Sequence, residues 1–182
     1  MKKVYVFLAD GFEETEFVTP FDYLQRAGID VYMASISDSI SVQGGHGLVI
    51  EADGLLSELD VSIFDGVLLP GGGVGVQNLG ASQTVLDAVK NFDSANKFVF
   101  AICAAPTVLS KAGILASRKA TCYPGCETNM HCKEFSKDRV VVDGKMITSR
   151  GAGTAEEFAF AIIEILGGAD LKEKIRSQVV AR

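Results

Sequence analysis

The stretch Phe98-Val99-Phe100-Ala101-Ile102-Cys103-Ala104-Ala105-Pro106 runs an unbroken apolar segment straight into a cysteine. Small residues and then a helical pattern follow. Such a strand-to-helix turn presents a nucleophile, because small neighbours let backbone approach backbone at a sharp bend. A thiol there meets the unpaired N–H groups and positive end of the next helix, which favour the thiolate. The same residues also suit a buried structural cysteine at a strand end. Leu69-Pro70-Gly71-Gly72-Gly73 closes a second apolar run. A glycine run in that place can aim backbone N–H groups at an anion or a developing oxyanion, or can form a plain tight turn. It lacks the lysine and hydroxyl of a P-loop, and no G-x-G-x-x-G opens the first helix. Gly11-Phe12-Glu13-Glu14-Thr15-Glu16 sets three glutamates into four positions. Acidic side chains suit a helix N-terminus, but a cap needs fewer, and an amphipathic helix starting here would turn at least one into a crevice.

Cys122, Cys126, His131 and Cys132 crowd one segment. The spacing hints at zinc, but the adjacent pair His131-Cys132 is awkward for one tetrahedral ion and no second C-x-x-C is present. No metal is assigned. The expectation is free thiols, with Cys122 or Cys126 open as a resolving partner for Cys103.

The elements that must position these groups follow from hydrophobic periodicity. Val4–Ala9, Val31–Ala34, Val67–Leu69, Phe98–Ile102, Val140–Val142 and Met146–Thr148 are short, branched or aromatic runs, as expected of strands buried on both faces. Helical spacing over Glu13 to Ala27 puts Phe17, Phe21, Leu24 and Ala27 on one face, with Gly28 as the stop. Ser82 is the expected N-cap of a helix carrying Val85, Leu86 and Val89. Thr154 to Leu166 and a segment from about Asp170 are further helices. Strands alternating with helices predict a mostly parallel sheet with helices on both faces. Asp143-Gly144 between two apolar runs predicts a small antiparallel hairpin. The glycine clusters at 44–47 and 71–75 read as tight loops. In such a sheet, ligands bind beyond the carboxyl ends of the strands, where all the loops above fall.

The chain has 182 residues, 48% of them apolar, with 17 Lys+Arg against 23 Asp+Glu and a net charge of −6. That predicts one domain spanning 1–182 with its own core, and argues against nucleic-acid or anionic-membrane partners. Met1–Leu8 runs into Asp10 and the glutamates, too soon for a secretory segment, so the expected compartment is the cytoplasm. Four cysteines are too few for a disulfide scaffold.

Gly11-x-Glu13-Glu14-x-Glu16, Leu69-Pro70-Gly71-Gly72, Ala101-Ile102-Cys103-Ala104-Ala105-Pro106 and Thr148-Ser149-Arg150-Gly151-x-Gly153-Thr154 stand in the order found in the ThiJ/PfpI superfamily. The chain resembles the branch that holds the human parkinsonism-associated protein and its bacterial relatives, over essentially its whole length. The resemblance implies a flavodoxin-like three-layer α/β sandwich and a homodimer. It implies Cys103 as nucleophile, Glu16 as its carboxyl partner, and the backbone N–H groups of Gly72 and Ala104 as an oxyanion hole. Arg150 and Gly151–Thr154 would border the site, with Thr154 capping the following helix; Glu13, His46, Gly71, Gly73 and Tyr123 complete its lining. The activities implied need no cofactor: conversion of 2-oxoaldehydes to hydroxy acids in the manner of glyoxalase III, or deglycase-like repair of glycated side chains. The alternative is a redox-responsive stress protein or chaperone that uses Cys103 as an oxidation sensor.

Two departures from the family pattern narrow the chemistry. Ala104 replaces the histidine that follows the cysteine in the protease-like branch, so the base a cysteine protease needs is missing. Tyr123 stands where the closest branch often has a histidine, and a phenol is a poor base near neutral pH. His46 stands where that branch often has an arginine, and a solvated loop histidine is an equal reading. Nothing in these residues supports a thiamine or thiazole step. Two acids in hydrogen-bond reach keep one proton between them. The expectation is that Glu16 holds it while Cys103 is largely thiolate.

Overall fold

The computed structural model describes residues 1–58 and 60–181. A seven-stranded sheet forms the middle layer. Its strands are β1 (Lys3–Leu8), β2 (Asp30–Ser35), β5 (Gly54–Leu55), β6 (Gly66–Leu69), β7 (Phe98–Ile102), β10 (Val140–Asp143) and β11 (Met146–Ser149). Their spatial order is β10-β11-β7-β6-β1-β2-β5. All neighbours run parallel except β10 and β11, which pair antiparallel with Val141 opposite Thr148. That hairpin is the one announced by Asp143-Gly144, and Gly144 takes the left-handed φ of +60° in its turn.

Side chains alternate between the two faces of each strand. Tyr5, Phe7, Val67, Leu69, Val99 and Ala101 face one core, with helices α2 (Gly73–Ala81), α3 (Gln83–Ser94) and α4 (Pro106–Lys111). Val4, Val6, Leu8, Leu68, Phe100 and Ile102 face the other, with α1 (Glu14–Arg26), α5 (Ala155–Gly167) and α6 (Ala169–Gln178). Burial on both faces is why these strands read as unbroken apolar runs. Fully buried Phe7, Phe100 and Phe158 each contribute about 2 kcal/mol by leaving water.

Local signals place the helices as expected in most cases. Glu13 is the N-cap of α1 and accepts from Thr15 N–H, while Gly28, at φ +71°, turns the chain after the helix. The Ser82 hydroxyl accepts from Val85 N–H and starts α3. Pro20 lies inside α1 and has no N–H to give to the Glu16 carbonyl.

Two expectations need correction. The glycines at 71–75 are not all loop, because Gly73 opens α2. Glycine content hides that helix from propensity, but Gly75 must be bare: a Cβ there would lie 2.8 Å from the Phe12 amide nitrogen. Thr154 holds the N-cap position of α5 but does not cap it. Its hydroxyl turns back, donating to the Gly151 carbonyl at 2.8 Å and sitting 2.7 Å from the Ser149 hydroxyl. Two small pairs escaped the periodicity: β3 (Ser41–Gln43) with β4 (Val49–Glu51), whose turn is the glycine cluster at 44–47, and β8 (Lys119–Ala120) with β9 (Glu134–Phe135).

Candidate active site

The loops after β1, β6, β7 and β11 meet at the carboxyl end of the sheet. β7 delivers Cys103, whose φ is +65°. A non-glycine residue rarely adopts that conformation, and surrounding bonds must hold it there. They do so on both sides: Cys103 N–H donates to the Ser149 carbonyl at 2.9 Å, and Tyr123 N–H donates to the Cys103 carbonyl at 2.8 Å. Pro106 then takes the first position of α4.

α1 brings Glu16 to the sulfur. Its side chain is 1% exposed, and Oε2 accepts from Gly71 N–H at 2.9 Å. It also accepts from Ala152 N–H and shares a hydrogen bond with the Cys103 thiol. Gly71 must be glycine for this to happen. A Cβ at that point would lie 2.5 Å from Cys103 Cβ and would also overlap Glu16 Oε2. Gly72 takes φ +99°, and a Cβ there would lie 2.7 Å from Glu13 N. The β1 and β6 loops are laced together by Glu13 N–H to the Gly71 carbonyl at 3.0 Å and Gly75 N–H to the Gly11 carbonyl at 3.1 Å.

The N–H groups of Gly72 and Ala104 both reach the Cys103 sulfur. These two donors favour the thiolate, but other effects outweigh them. Burial first, then the Glu16 charge and its hydrogen bond, pushes the Cys103 thiol up to about 12. Burial also leads for Glu16, with the neighbouring Glu13 charge adding to it; the carboxyl rises to about 7. The thiol therefore keeps its proton at neutral pH while Glu16 titrates there, which reverses the expectation that Glu16 holds the proton beside a preformed thiolate. The physical reason is burial beside the Glu16 carboxylate, which disfavours a second negative charge.

The other residues named from the sequence lie at varied distances from this pair. Glu13 is close enough for its charge to act on Glu16. Gly151 lines Glu16 and the Tyr123 ring: a Cβ there would lie 3.8 Å from Glu16 Oε1 and 3.3 Å from the ring. Tyr123 is 51% exposed over that edge. His46 is one shell further out. Its Nδ1 lies 2.7 Å from Glu14 Oε2 and 3.5 Å from Glu13 Oε2, and it is largely solvated. Glu14 raises the His46 pKa through that hydrogen bond. A Cβ at Gly73 would meet only open space, so its part is to begin α2. Arg150 follows Ser149, whose carbonyl accepts from Cys103 N–H. Its guanidinium acts on Cys122 and Glu127, and its buried Nη1 has no hydrogen-bond partner among the described residues.

Sequence reasoning assigned no individual role to Gly11, Gly75 and Ala152, although each lies in a segment it singled out. Gly11 and Gly75 had a signal, since each glycine beside the glycine-rich loop marks a close backbone approach. Ala152 had none, because a backbone donor leaves no mark on residue type.

A strained cysteine at a strand end, a buried carboxyl on the first helix and a glycine loop between them define a class. Residues 2–165 match the DJ-1/PfpI family, and the chain belongs to it. It is 38% identical to a Danio rerio Parkinson disease protein 7 homolog, covering 100% of this chain and 98% of that one. Against Drosophila melanogaster dj-1beta it is 40% identical, covering 96% and 93%. The chain spans only 42% of an Arabidopsis thaliana DJ-1 homolog B that it also matches. A deglycase from Pyrococcus abyssi is 30% identical over 90% of this chain and 99% of its own. Among solved structures, oxidized Toxoplasma gondii DJ-1 superposes with a TM-score of 0.95 at 34% identity, covering 100% and 99%. The sheet order and layers are those of the DJ-1 flavodoxin-like fold. Among the described residues no helix is long and apolar enough to cross a membrane.

Proposed function

We propose that this protein is a cofactor-independent enzyme acting on reactive carbonyls through Cys103, with Glu16 as its proton carrier. The observation that carries this reading is the hydrogen bond between a buried Glu16 and the thiol of a cysteine held at φ +65°. A carboxyl raised to about 7 is matched to accept and return a proton near neutral pH.

For a 2-oxoaldehyde such as methylglyoxal, the Cys103 sulfur adds to the aldehyde carbon while ionised Glu16 takes the thiol proton. Gly72 and Ala104 N–H groups stabilise the oxyanion, and Glu16 returns the proton to give a hemithioacetal. Glu16 then removes the proton from C1, forming an enediolate, and delivers it to C2, while the C1 hydroxyl proton passes to the C2 oxygen. The product is a thioester, which water hydrolyses to the hydroxy acid and free Cys103. Deglycase-like repair would use the same attack on a sugar-derived carbonyl, an activity named for the Pyrococcus relative. The substrate is therefore a small carbonyl compound or a glycated side chain, handled by a cytoplasmic homodimer.

The test is lactate formation from methylglyoxal by wild type and Cys103→Ser. Turnover that disappears in the variant supports the mechanism; equal turnover in both overturns it. No turnover in either favours the sensor or chaperone reading, in which Cys103 serves as a site of oxidation.

A further inference from the structure

Cys122, Cys126 and Cys132 take no part in the Cys103–Glu16 site. All three pack on the core between the sheet and α2–α4, whereas Cys103 packs against the opposite layer. The four thiols thus pack on two different cores.

Two hydrogen bonds fix how Cys122 and Cys126 stand. The Cys122 thiol donates to the Tyr123 carbonyl at 3.4 Å, and Cys126 N–H donates to the same oxygen at 3.0 Å. Tyr123-Pro124-Gly125-Cys126 is thus a tight turn with proline second and glycine third, and Gly125 has φ +95°. The turn folds Cys126 back towards Cys122. Burial first, then Cys126 and Glu127, raises the Cys122 pKa, and Cys132 adds the smallest of these effects. Cys132 lies beyond the turn, after the short 3-10 helix Glu127–Asn129.

We propose that Cys122 and Cys126 form a dithiol that closes to an intramolecular disulfide under a hydroperoxide. Half-buried Cys126 reacts first and fully buried Cys122 second. Cys126 attacks the peroxide, the O–O bond breaks, and Cys126–SH with ROOH gives Cys126–SOH and ROH. The Cys122 sulfur then attacks the sulfenic sulfur. Its proton leaves with the displaced hydroxide as water, and the S–S bond forms. Two thiols lose two electrons, and the peroxide takes them. The ring so closed contains Tyr123, whose N–H holds the Cys103 carbonyl at 2.8 Å, so the disulfide forms at the wall of the candidate active site.

The experiment treats the full chain with hydrogen peroxide, alkylates the remaining thiols with iodoacetamide and digests with trypsin. One peptide, Ala120 to Lys133, carries all three cysteines. The expected product has lost two hydrogens, carries its one alkyl group on Cys132, and returns to three alkylated thiols after dithiothreitol. Cys126→Ser abolishes that product and Cys132→Ser retains it. A bridge through Cys132 overturns the proposal. So does sulfinic acid on Cys126 without hydrogen loss, or an unmodified peptide when Cys103 is fully oxidised. Fragment spectra of the wild type locate the bridge even if a variant fails to fold.

Discussion

Glu16→Gln should change how stability depends on pH. The carboxyl has risen from an ordinary 4.5 to about 7, chiefly because it is buried. A carboxyl raised in the folded state binds its proton more tightly there than in the unfolded chain. Its contribution to stability is whole below pH 4.5 and is lost as pH rises from there through 7. At about 1.4 kcal/mol per pH unit, the wild type loses about 3 kcal/mol to this group between pH 4 and pH 8. The glutamine variant has nothing to ionise and escapes that loss. It carries its own penalty, since its NH2 faces amide donors such as Gly71 N–H, at a cost of about 1–3 kcal/mol that does not vary with pH. The decisive quantity is therefore a difference of differences. Urea unfolding of both proteins at pH 4 and pH 8 should show the variant gaining about 3 kcal/mol on wild type across that interval. Cys103 adds little, because its ordinary value of 9.0 lies above the interval. If the two curves stay parallel to within about 0.5 kcal/mol, Glu16 is not a raised, buried acid and the proton carrier assigned to it is wrong.

Three further variants and assays test the site and the fold around it, the first variant with two readouts. Glu16→Gln should speed iodoacetamide alkylation of Cys103 at pH 8–9, because the variant removes a negative charge that raises the thiol; an unchanged or slower rate breaks that coupling. The same variant should lose turnover, so opposite effects on alkylation and turnover separate reactivity from proton transfer. Gly71→Ala forces a methyl against Cys103 Cβ at 2.5 Å and should cost about 1–3 kcal/mol in urea unfolding; wild-type stability would show that the loops part freely. Ser82→Ala removes the cap on Val85 N–H and should cost about 1 kcal/mol, with no change in Cys103 alkylation; a variant as stable as wild type would show that the cap contributes nothing.

Strongly periodic segments were legible before any coordinates. Phe98–Ile102 and Val67–Leu69 are buried on both faces, so every residue is apolar and the strand announces itself. α1 and α3 carry their own start signals in Glu13 and Ser82. α2 was not legible, since Gly73, Gly75 and Gly80 argue against a helix and only packing on the β1 loop explains Gly75. The two-residue strands β8 and β9 are too short to show any period. Arg150 was placed beside the site by its motif; that its charge acts on Cys122 and Glu127 was not legible, because the direction of a long flexible side chain is not fixed by its neighbours in sequence.

The sequence by itself determined which residues could do chemistry and where the chain would present them. A cysteine after an apolar strand, glycines after another and glutamates at a helix start must all reach the carboxyl end of a parallel sheet. Tertiary structure decided what state those groups are in. Cys103 at the head of a helix suggested a thiolate, yet burial beside Glu16 turns the shift upward. The same packing sorted four similar thiols into one strained residue against one layer and three that face the other. Residue type is local, but desolvation and charge depend on everything folded around a group, and only the packed chain supplies those.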